Sequence, residues 1–146
     1  MKIAAGIAEG LLLFWFFGCV CTYRIGRFLL VEGEGVRSPE FVMFCCYSTG
    51  ILLFWFVPVI GQWWLLTVLT AWLTLQFLSH WRYTLFGATE QKLSGYNECF
   101  QNTVHWIPAR ADRLIPDLYH MILHLLIFAN WILVVLSIVR RSTTSC

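Results

Sequence analysis

His120 and His124 lie one helical turn apart, with Asp117 on the turn before them. That spacing puts two imidazoles and a carboxylate along one helix face. The histidines suit general acid/base chemistry, since an imidazole titrates near neutral pH. If any metal is held, His120 and His124 are the pair to hold it, and Glu98 or His105 would add ligands. The spacing does not commit the chain to a metal. Met121 follows His120 where a metalloprotease helix needs Glu. Four histidines in all are too few for the histidine boxes of membrane di-iron enzymes. Haem between His80 and His120 or His124 is compatible with the sequence, but nothing in it requires a cofactor. The structural reading, which the sequence favours over either a metal site or acid/base chemistry, is that these histidines hydrogen-bond at a helix interface.

Arg110 and Arg113 flank Asp112 just upstream. Arg binds phosphate or carboxylate through paired N–H groups, so these two are candidates for holding an anionic headgroup. A salt-bridged surface loop is the alternative. Glu98, His105, His120 and His124 form the candidate acid/base set. No nucleophile stands out. Cys99 and His105 are six residues apart, which turns their side chains away from one another on a helix. No glycine-rich phosphate loop, CxxC or serine elbow is present.

These groups stand in an apolar chain. Of 146 residues, 59% are hydrophobic and 12% charged, against about a quarter charged in an average soluble domain. Too little charge is available to cover a water-facing surface. Eight Trp, twelve Phe and five Tyr suit bilayer interfaces. The net charge of +2 and the lack of a Lys/Arg cluster exclude nucleic acid as a partner. Cys19, Cys21, Cys45 and Cys46 fall within apolar runs and read as small packing residues, not as a disulfide framework.

The chain therefore reads as one all-α integral membrane domain, residues 1–146, with four transmembrane helices. The expected spans are residues 3–31, 41–60, 62–80 and 118–139, each long enough or nearly so to supply the ~20 residues that cross a bilayer. Glu9 and Asn130 lie inside the first and last. An acid there is a functional candidate unless it pairs within the bundle, and Asn130 is expected to bond to another helix. Ser38 followed by Pro39 marks the start of the second span.

The polar connector 81–117 is long enough to need structure of its own. Phe100, Val104 and Ile107 share one helical face, with Glu98, Gln101, Asn102 and His105 opposite. This predicts a short amphipathic helix over 97–107 at the membrane surface, between the third and fourth spans.

Four crossings fix which groups share a side. Arg24, Arg27, Glu40, His80, Arg82 and the whole of 97–117 fall together with His120 and His124. Seven Lys/Arg on that side (residues 24, 27, 37, 82, 92, 110 and 113) against three on the other (2, 140 and 141) predict that loops 32–40 and 81–117 are cytoplasmic and the termini opposite. The function expected from this layout is binding of, or action on, a lipid or other amphipathic substrate at an interfacial site. Whether the chain is an enzyme is open. The alternative is a non-catalytic membrane subunit or scaffold that docks a membrane protein, or a second copy of itself, through residues 97–124.

Overall fold

The computed structural model describes residues 2–100, 102–108 and 110–144. It is mostly helical. Helix α1 (Lys2–Phe16) ends in a 3₁₀ turn, Phe17–Cys19, and is followed by a two-stranded hairpin, β1 (Tyr23–Ile25) and β2 (Phe28–Val31). Helices α2 (Pro39–Phe56) and α3 (Pro58–Gln76) come next. A π turn, Phe77–Trp81, carries α3 without a break into the short helix α4 (Arg82–Phe86). Helix α5 (Glu90–Phe100) and helix α6 (Leu118–Thr144) complete the chain.

Contacts between helices run in opposite directions around a closed ring of four. Phe16 meets Phe44, and Tyr47 donates a hydrogen bond to the Glu9 carbonyl. Tyr47 in turn meets Trp72, while Trp64 donates to the Cys46 carbonyl. Gln62 bonds to Ser137, and Trp131 donates to Thr70 Oγ1. The ring closes where Asn130 donates to the Ala8 carbonyl and Trp15 to that of Tyr119. Asn130 thus makes the interhelical bond expected of it. Leu12, Tyr47, Leu65, Leu69, Tyr119 and Ile127 are fully buried in the shared core.

Three helical stretches are long and apolar enough to cross a membrane: Pro39–Phe56, Pro58–Phe86 and Leu118–Thr143. The first apolar helix, Ile3–Cys19, is shorter. A first span reaching residue 31 is therefore corrected, and so is an all-α chain. Residues 23–31 form the hairpin because Gly26 takes a φ of +58° in a two-residue turn between Ile25 and Phe28, a conformation that suits hairpins and breaks helices. The aromatic and β-branched residues on either side then pair as strands.

The second helix starts as expected. Ser38 Oγ accepts from Phe41 N at 3.2 Å, with Pro39 in the first turn. Its junction with the third comes earlier than expected, at Val57 rather than at Gly61 and Gln62. Pro58 has no N–H and starts the new helix. Gly61 then lies against the Phe54 backbone, where any Cβ would overlap it.

The connector helix is also displaced. Helix α5 covers Glu90–Phe100, and Leu93 and Tyr96 turn inward onto Leu114, Tyr83 and Phe100. It cannot run on to 107, because Thr103 folds back on the Phe100 carbonyl through both N and Oγ1. Val104 N then bonds to Leu29 O of the hairpin at 3.2 Å, and Leu118 N to Val104 O at 2.8 Å. Asn102 and His105 consequently lie beyond the helix, and Gln101 is outside the described residues.

Candidate functional site

The end of the bundle that carries the hairpin and connector gathers three histidines. The His80 ring lies 5.1 Å from His120 and 5.3 Å from His124, centroid to centroid, and the latter two are 6.2 Å apart. Each is held differently.

Asp117 caps α6. Its Oδ1 accepts from the His120 backbone N–H at 2.9 Å and lies 2.8 Å from His120 Nδ1. The carboxylate is fully buried. Burial alone would raise its pKa, but the hydrogen bonds and charge of His120 outweigh it and hold the carboxyl below its ordinary range. Asp117 is thus an acceptor at neutral pH, so His120 Nδ1 carries the proton. His120 Nε2 has no protein partner among the described residues, which leaves it open as a base or ligand. Tyr96 supports the arrangement by accepting the Asp117 backbone N–H at 3.2 Å. Burial, and secondarily the Asp117 charge, push the Tyr96 hydroxyl well above its usual range.

His124 is fully engaged. Trp81 Nε1 donates to its Nδ1 at 3.0 Å, and its Nε2 lies 2.9 Å from Gln76 Oε1. An indole can only donate, so Nδ1 accepts and Nε2 carries the hydrogen. His124 is a neutral, satisfied imidazole with no lone pair left over. The π turn that follows α3 allows this. Residues five apart fall on opposing sides of an α-helix but are brought together by the i to i+5 pitch of the π turn. Gln76 and Trp81 can therefore grip one ring from both ends.

His80 is the opposite case, since its Nδ1 is buried without a partner. His80 and His120 line a polar cavity of about 340 Å³ with Glu40, Ser79, Cys19 and Gln76. On the outer side of Gln76 and His124, an apolar groove of about 630 Å³ runs between α3 and α6. Leu73, Phe77, Met121 and Phe128 line it, with Trp81 and Trp106. Gln76 borders both spaces.

The other expected site residues stand apart from this cluster. Glu98 is exposed on α5, and Arg110 is exposed in the connector. His105 is exposed, with Nδ1 at 3.0 Å from the Thr103 carbonyl. Arg113 points its guanidinium at the Thr84 and Leu85 carbonyls, each 3.4 Å away, and at Asp112. There it caps the end of α4, as a cation does at a helix C-terminus. Among the described residues, no three His, Cys, Asp or Glu side chains are grouped to hold a metal ion. The His80 ring lies too close to the other two histidines for a haem to fit between them.

Sequence reasoning offered His80 only as a haem ligand and did not count Glu40 as a site member, although counting crossings put both on this side. The one-turn spacing of Gln76 and His80 was the available signal. Nothing in the sequence announced the π turn or the role of Trp81. No known protein family, curated protein or solved structure matches the chain.

Proposed function

We propose that the chain is a four-span membrane protein that binds or acts on an amphipathic molecule at the end of the bundle carrying the connector. The fourth span is α1. Ile3, Ile7, Leu11 and Phe14 follow helical spacing and are each more than half exposed, an apolar stripe suited to lipid. The ~25 Å length of the 17-residue segment is short for a bilayer core of about 30 Å, and a locally thinned bilayer would accommodate it. The balance of Lys and Arg favours a cytoplasmic location for the connector.

The observation that carries the functional reading is the Asp117–His120 pair, whose histidine lines a polar cavity next to an apolar groove. Asp117 holds His120 in one tautomer, and Nε2 is then available to take a proton from water or from a substrate hydroxyl. The groove would receive an apolar tail and the cavity a polar head. Trp81 and Trp106 at the groove suit the headgroup boundary.

The test uses the full chain in lipid nanodiscs. Native mass spectrometry would identify retained amphiphiles, and turnover would be followed on a mixed pool of phospholipids and single-chain lipids. His120→Gln and Asp117→Asn should keep the fold and reduce any turnover by about 10²–10⁴-fold, the usual contribution of a general acid or base. Retention of no amphiphile, with no effect of either variant on a cellular phenotype, would remove the site. The reading as a docking subunit would then take its place.

A further inference from the structure

We infer that the polar cavity receives an ammonium group, so that the amphiphile bound here is an amine and not an acid. This rests on the functional reading above and names the chemistry of its ligand.

The walls supply acceptors and negative charge. Glu40 Oε2 and His80 Nδ1 are both buried without a hydrogen-bond partner, and both residues line the cavity. Glu40 Oε2 accepts when ionised, and His80 Nδ1 accepts in the tautomer that carries its hydrogen on Nε2; buried acceptors left empty are costly, and a ligand with N–H donors relieves that cost. No Lys or Arg is among the lining residues. An acid entering the cavity would meet no cation and would face the Glu40 carboxylate. A second acid stands close by. The Glu40 charge, then burial and a side-chain hydrogen bond with Glu40, hold the Glu34 carboxyl above its usual range, so the two acids share their negative charge rather than doubling it. Behind His120, the ionised Asp117 adds a further negative charge.

Phe16 and Trp72, packed against each other with ring centroids 4.1 Å apart, also line the cavity, and aromatic rings attract organic cations. A bare metal ion is a poorer candidate, because the described residues present no group of three ligands for one. The cavity's 340 Å³ is at the small end of the roughly 300–1,000 Å³ range of ligand sites. It suits a head, with the tail continuing past Gln76 into the apolar groove.

The experiment titrates the full chain in nanodiscs with three probes of equal tail length: dodecylamine, 1-dodecanol and lauric acid. Binding is read by tryptophan fluorescence, with Trp72 at the cavity and Trp81 at the groove. Comparison with Glu40→Gln in the same nanodiscs removes differences in bilayer partitioning. Dodecylamine should bind the parent protein about tenfold more tightly than dodecanol, as one charge-assisted contact allows, and lauric acid should bind weakest. Glu40→Gln should abolish the preference for the amine, and Glu40→Asp should keep part of it, with circular dichroism confirming the fold of both. Leu125→Trp, which fills the groove, should weaken all three probes alike. Equal binding of the three probes in the parent, with all of them weakened by Leu125→Trp, would overturn the amine inference and leave the amphiphile reading intact. Tightest binding by lauric acid would do the same. Failure of all three to bind would overturn both.

Discussion

Glu9 and Asn130, in the middle of their helices, and Asp117, His120 and His124, at one end of the bundle, are polar groups buried in the same apolar surroundings. They are satisfied very differently. At the bundle end, Asp117 has His120, and His124 has both Trp81 and Gln76. In the middle, both Glu9 carboxyl oxygens and Asn130 Oδ1 are buried without a donor, although both residues are only 1% exposed. The nearest help is indirect. Tyr47 reaches the Glu9 carbonyl rather than its carboxyl, and Asn130 spends its amide N–H groups on backbone carbonyls. The His124 ring and His120 Nδ1 are thus held by matched partners, while the Glu9 carboxyl and Asn130 Oδ1 in the middle, like Asp117 Oδ2, His80 Nδ1 and Glu40 Oε2 at the bundle end, are left without one. Matched pairs hold a geometry in place. Surplus acceptors store a cost that a proton or a substituted donor would relieve.

Three changes probe that contrast. The largest effect is expected at His124. His124→Leu leaves the Trp81 N–H and Gln76 Oε1 without their partner, and unmet groups cost roughly 1–3 kcal/mol each. Thermal unfolding in detergent should show a clear loss of stability, and a variant as stable as the parent would mean that the end cluster is not held by these bonds. Glu9→Gln should act in the opposite direction. It removes an ionisable group that is buried without a partner, for a gain of roughly 1–3 kcal/mol. A lower melting temperature in this variant would show that Glu9 has an ionic role in the parent, and the contrast would fail.

The smallest effect concerns Asp117. Asparagine can still cap α6 but offers the His120 Nδ1–H a neutral acceptor in place of a charged one, so Asp117→Asn should cost about 1 kcal/mol near neutral pH. The sign of the pH dependence follows from the depressed carboxyl. Its stabilisation is complete above the ordinary value of 3.8 and is lost as pH falls through the lower value of the folded state. Melting temperatures taken from about pH 6 down to about pH 3 should therefore fall in the parent and follow a flatter course in Asp117→Asn. Parallel curves for the two proteins would mean that Asp117 is not the group responsible.

Much of the framework was legible from local pattern. Apolar runs of helix length located α2, α3 and α6, and Ser38-Pro39 marked one start because a side-chain cap and a missing N–H act within a single turn. Asp117 at the head of α6 was readable for the same reason. The connector was harder. The residues from Glu98 to Ile107 have helical spacing, yet Thr103 and Val104 find better partners in Phe100 and Leu29, and a pairing between residues 29 and 104 leaves no periodic trace. The hairpin was missed because its strands are as apolar as a helix end, and Gly26 was the one local warning.

The sequence alone determined that the chain is a set of apolar helices and that four alternating helices bring His80, Glu40, Asp117, His120 and His124 to one end. Those properties depend on helix length and on the order of segments, both of which are local or countable. Only the tertiary structure decided what each group does there. The bonds that lock His124 join residues 43 and 48 positions apart, and they depend on helix rotation and on the π turn. A shift of one residue in any helix turns a side chain by about 100°. Hydrogen bonds, which fail within a few tenths of an ångström and a few tens of degrees, therefore settle which histidine is locked and which is free.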